Sequence, residues 1–70
     1  MCEQNVYMAG PEEGEERLVM EAVDEIMPEG PDLWRIKSIF GEQKIVDGRI
    51  RSMHLVNHRI IFEPPATAGS

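Results

Sequence analysis

The sequence predicts an all-β fold, and three observations carry that expectation. Short apolar stretches recur along the chain, separated by glycine, proline and acidic turn residues, which is the pattern of a small strand-rich domain. Asp47-Gly48 is the strongest hairpin dipeptide present, because both residue types accept the positive φ that a two-residue hairpin turn demands. Residues 50–61, where the spacing of His54 and His58 also suits a helix, are rich in isoleucine and valine, and these favour strands.

The elements follow in order. Residues 3–8 form the first expected strand, with Gln4, Val6 and Met8 on one face and Asn5 and Tyr7 on the other, since successive strand side chains alternate between faces. Ala9-Gly10-Pro11-Glu12-Glu13-Gly14 follows as a hairpin loop. Residues 17–23 are the second strand, Leu18, Met20 and Ala22 alternating with Val19, Glu21 and Val23. Both its faces are partly apolar, as in a strand with one face in a core and the other against a partner. Residues 24–26 either continue it or turn, and Pro28-Glu29-Gly30-Pro31-Asp32 is a firm break. Residues 33–40 put Trp34, Ile36, Ser38 and Phe40 on one face, and Trp34 and Phe40 are assigned to the core rather than to base stacking. Gly41-Glu42 turns into strand 43–46, Asp47-Gly48 into strand 49–56, and a tight Asn57-His58 turn leads to strand 59–63. Residues 64–70, Pro-Pro-Ala-Thr-Ala-Gly-Ser, can neither pack nor pair and are expected as a disordered tail. Six short antiparallel strands joined by tight turns predict a compact, strongly bent SH3-like barrel, one small domain over residues 1–63.

Seventy residues with a single cysteine exclude an intrachain disulfide framework. A core of this size contributes only ~3–5 kcal/mol net, so the chain is expected to gain stability as a homodimer. No apolar run approaches the ~18 residues that span a membrane, and the N-terminus lacks the charged-then-apolar form of a signal peptide. A cytoplasmic location is therefore expected. The net charge of −6 is unevenly spread. Residues 1–32 carry ten acids against Arg17 alone, whereas residues 33–70 carry three acids against six basic residues. An acidic total disfavours nucleic-acid binding, which relies on phosphate neutralisation. The rival reading, an RNA-binding module, would need Arg35, Lys37, Arg49, Arg51 and Arg59 on one face.

Enzyme signatures are missing: there is no glycine-rich phosphate loop, nucleophile elbow or Cys-x-x-Cys. The acidic run Glu12-Glu13-Gly14-Glu15-Glu16 lacks the ordered alternation of a calcium loop and reads as a solvated hairpin tip. Met8 and Met20 are core residues before they are thioether donors. His54 and His58 are assigned structural or surface roles, and Tyr7 and Arg35 are left as isolated surface contacts. Cys2 differs from all of these. It follows Met1 directly, and a small second residue permits removal of the initiator methionine. An amine and a thiol would then share one residue. Together with the next backbone amide they form a compact N/S donor set suited to nickel or copper(II). Weighed against this is the plainer reading, that one free cysteine near a terminus is incidental and the chain is a structural or adaptor dimer with no metal role.

Several stretches decide between these readings. Met1-Cys2-Glu3-x-Asn5-Val6-Tyr7, Leu-Val-Met-Glu-x-Val-Asp at residues 18–24, Ile-Phe-Gly-Glu-Gln-Lys at 39–44, Gly48-Arg49-Ile50 and the segment 55–61 resemble the CooT family of small nickel-binding proteins. The resemblance covers residues 1–63, and some members are also labelled RNA-binding. It implies a cytoplasmic homodimer of small SH3-like barrels that binds Ni2+ through Cys2. The founding member is associated with nickel supply to the Ni–Fe–S centre of carbon monoxide dehydrogenase, so a nickel-enzyme client is the expected partner. Two Cys2 thiolates at a dimer interface, with two nitrogens from their amines or from the backbone of Cys2 and Glu3, would give the N2S2 plane that Ni(II) favours. His54 and His58 match no ligand position that the resemblance supplies.

Overall fold

The computed structural model describes residues 3–65. Six strands form one sheet and no helix occurs among these residues: β1 (Gln4–Ala9), β2 (Glu16–Gly30), β3 (Leu33–Ser38), β4 (Gln43–Asp47), β5 (Arg49–His54) and β6 (Arg59–Glu63). The order across the sheet is β4-β3-β2-β1-β6-β5. All neighbours are antiparallel except β1 and β6, which run parallel from Asn5 opposite Arg59 to Met8 opposite Phe62. The all-β expectation holds. The bent, barrel-like sheet is neither wholly antiparallel as expected nor closed, because β1 and β6 run parallel and the edge strands β4 and β5 are not hydrogen-bonded to each other.

Those edge strands are nevertheless joined through Gly48 alone. Consecutive Cα atoms lie about 3.8 Å apart, so the end of β4 and the start of β5 are neighbours and the sheet must curl to bring its two edges together. Asp47-Gly48 is thus a corner rather than the expected hairpin. Gly48 has φ 151°, donates its N–H to the Asp32 carbonyl at 2.8 Å and accepts the Trp34 indole N–H at 2.9 Å.

β2 is the long element, 15 residues, and it runs straight through the expected break at Pro28-Glu29-Gly30. Its first half pairs with β1 and its second half with β3. The reversal is confined to Pro31 and Asp32, between the paired Gly30 and Leu33. Proline presets the φ of the first turn position, and Asp32 takes the positive φ (64°) of the second. Where β2 changes partner, Ala22 sits at φ 58°, with its N–H on Asn5 Oδ1 (3.2 Å) and its carbonyl on the Ile39 N–H (2.8 Å). A left-handed alanine costs about 1–2 kcal/mol. Ala22→Gly is therefore expected to stabilise the chain by about 0.5–1 kcal/mol after the added entropy of glycine in the unfolded chain. Urea denaturation would show a raised midpoint at unchanged slope, and an unchanged or lowered midpoint would mean that the methyl group earns more in packing than its backbone loses.

The inner face of the curl holds the core: Val6, Met20, Val23, Ile36, Val46, Ile60 and Phe62, with Met8, Val19, Ile26, Trp34 and Ile50 packed against it. Met8, Met20 and Trp34 thus take the packing roles expected of them. Phe40 does not. Ser38, buried, accepts the N–H groups of Phe40 and Glu42 on its hydroxyl oxygen (3.1 and 3.2 Å). This ends β3 two residues early and turns the Phe40 ring outward, 78% exposed. β5 likewise stops at His54, and residues 55–58 form the turn, closed by the His58 N–H on the Leu55 carbonyl at 3.2 Å.

Candidate metal centre

Cys2 lies outside the described residues, as do residues 66–70 of the expected tail. What the structure describes is the frame next to Cys2. Glu3 precedes the first residue of β1 and is held from the turn between β5 and β6. The His58 Nδ1 lies 2.8 Å from the Glu3 carbonyl oxygen. A carbonyl only accepts, so this ring nitrogen carries the proton. The His58 carbonyl in turn accepts the Asn5 N–H at 2.9 Å. One residue therefore grips the chain on both sides of Gln4. His58 is itself fixed in the left-handed region at φ 58°. The Asn5 side chain adds a third tie, to the Ala22 N–H of β2. Glu3, Asn5, Asn57 and His58 line a shallow open depression at this end of the sheet.

The other candidate residues are placed as follows. His54 is exposed and pairs with Arg59 in the β5–β6 ladder, so the two histidines do not share a helix face. Tyr7 lies under the Arg59 guanidinium, 4.5 Å from its carbon to the ring centroid, and Arg59 is also paired with Glu16. Arg35 is paired with Glu29 at 3.1 Å and Arg49 with Glu63 at 3.9 Å. Three of the five basic residues that an RNA surface would need are thus already engaged by carboxylates. The acidic run folds back on itself, the Gly10 N–H bonding the Glu15 carbonyl at 2.7 Å. Among the described residues no group of three or more His, Cys, Asp and Glu is gathered where it could hold a metal ion.

The family model of CooT, described as a CO dehydrogenase accessory protein, matches residues 1–63. The chain belongs to the CooT family. A crystal structure assigned as CooT from Carboxydothermus hydrogenoformans superposes on it with a TM-score of 0.80 at 30% sequence identity, covering 90% of this chain and 97% of that one. No curated protein matches the sequence. CooT proteins are accessory proteins rather than enzymes, in keeping with the missing catalytic motifs. No helix among the described residues is long and apolar enough to cross a membrane.

The contact between His58 and Glu3 is the feature of this region that sequence reasoning missed. The histidine spacing drew attention to His58, but on the premise of a helix. Its actual partner lies 55 positions away and is reached only through the parallel pairing of β1 with β6.

Proposed function

We propose that this chain binds Ni2+ through Cys2 and acts in the cytoplasm as a metallochaperone or nickel carrier in the maturation of a nickel enzyme, with carbon monoxide dehydrogenase as the leading client. The family match over residues 1–63, which takes in Cys2, carries this reading. Nickel is the cargo here. The donor chemistry suits it, since a thiolate sulfur and backbone or terminal nitrogens on adjacent atoms favour a square-planar d8 ion over calcium or magnesium, which take oxygen donors.

The full site is a homodimeric one. Two copies of the domain, residues 1–63, bring two Cys2 thiolates and two nitrogens to one ion at their interface. Metal binding displaces the thiol protons, so affinity falls steeply as the solution is acidified.

The deciding experiment is a Ni2+ titration of reduced, metal-free protein beside Cys2→Ser. It is followed by absorbance in the thiolate-to-nickel charge-transfer region, with native mass spectrometry for stoichiometry and for the state of Met1. Saturation at one nickel per two chains is expected, with the band abolished in Cys2→Ser. One ion bound per chain without dimerisation would refute the shared site. Weak binding indifferent to Cys2 would refute the nickel function itself.

A further inference from the structure

We propose that His58 is a positioning residue for the nickel-binding terminus: its ring holds the carbonyl, and with it the Cα, of Glu3, the residue that follows Cys2. This inference rests on the nickel reading above and deepens it.

Two bonds from one residue carry it. The His58 ring donates from Nδ1 to the Glu3 carbonyl (2.8 Å), and the His58 carbonyl accepts from the Asn5 N–H (2.9 Å). Only the second belongs to the parallel ladder that begins at Asn5 and Arg59. Glu3 lies outside any strand, and residues beyond the end of a strand fray unless tied down. The bonded oxygen belongs to the Glu3–Gln4 peptide, and holding it fixes the six atoms of that plane, the Glu3 Cα among them. The ring thus fixes the point on Glu3 from which the chain continues to the residue before it. Ligands held in advance by outer partners bind metal more tightly than ligands that must first be ordered.

His58 is well suited to the task and poorly suited to a core role. It is exposed, so its ring contributes little to packing. Its backbone is held at φ 58° by the turn, which presents the ring without needing it. The position of the donor suggests the test. Asparagine carries an N–H at the same distance along its side chain as His Nδ1, and it accepts positive φ readily. Glycine accepts the same φ and carries no donor.

The full chain, His58→Gly, His58→Asn and Cys2→Ser would be titrated with Ni2+ by competition and by the charge-transfer band, and each metal-free protein melted by circular dichroism. His58→Gly is expected to bind nickel about ten-fold more weakly with wild-type melting, and His58→Asn to recover wild-type affinity. Wild-type affinity in His58→Gly, with binding still lost in Cys2→Ser, would overturn the positioning role and leave the nickel reading intact. An asparagine variant as weak as the glycine variant would also overturn it, since the ring would then act other than through this donor. A metal-free His58→Gly protein that melts well below wild type would make His58 a residue of the fold instead. Wild-type nickel binding indifferent to Cys2 would remove the underlying reading and this inference with it.

Discussion

Gly48→Ala is expected to leave the chain largely unfolded at room temperature. Gly48 sits at φ 151°, a region essentially restricted to glycine, and a residue forced into it costs of order 1–3 kcal/mol. A β-carbon there would also fall well inside contact distance of the Glu63 backbone carbonyl oxygen. Backbone cannot swing aside as a long side chain can, so the end of β6 would have to move away from the corner. That movement would strain the bond from the Gly48 N–H to Asp32 and the one from the Trp34 indole to the Gly48 carbonyl. The combined cost is about 4 kcal/mol or more, in the class of exceptional single substitutions. It compares with ~3–5 kcal/mol of net stability for a core of this size. Circular dichroism and urea denaturation would measure it, and a midpoint near wild type would show that the corner is softer than its geometry indicates.

Phe62→Ala is the second severe case. Phe62 is fully buried in β6 and meets Trp34 edge to face, with ring centroids 6.0 Å apart and planes at 66°. Truncation of a buried phenylalanine costs about 3–5 kcal/mol, and the aromatic pair contributes about 0.5–1.5 kcal/mol beyond area. Ile36→Val, at an equally buried site, removes one methyl group and should cost about 1 kcal/mol. Trp34 is the only tryptophan, so its fluorescence reports the pair directly. A red-shifted emission with loss of cooperative melting is expected for Phe62→Ala. Native-like emission and melting would mean that Trp34 and the neighbouring core close over the space.

Local pattern revealed what is local in this fold. Residues 3–8 and 59–63 read as strands from their own alternation, and they lie within a residue or so of β1 and β6. Partner choice was hidden, because it is decided between distant segments. Asp47-Gly48 has the same turn chemistry whether the chain doubles back or crosses a corner to the far edge, and nothing within a few residues separates the two. Pro28-Glu29-Gly30 looked like a break, yet Pro28 lies opposite Trp34 near the end of β2, where a missing N–H is tolerated. Phe40 follows the alternation of its neighbours in sequence, but the Ser38 hydroxyl ends the strand first. For the site, Cys2 was reached through its setting behind Met1 and through family resemblance. The grip of His58 on Glu3 depends on the parallel pairing, which no spacing within either strand encodes.

That pairing also bears on how the molecule comes into being. β1 lies between β2 and β6, so the earliest strand to be synthesised has one flank open until the last strand arrives. Bringing Glu3 to His58 closes a loop of 55 positions, an entropic toll of roughly 3.5 kcal/mol for a flexible chain. A growing polypeptide cannot assemble this end of the sheet while β6 is still inside the ribosome. The bonds that His58 makes to Glu3 and Asn5 are thus completed late. On the nickel function proposed above, an ion held only by the folded form would draw the folding equilibrium towards itself and so favour that same late step.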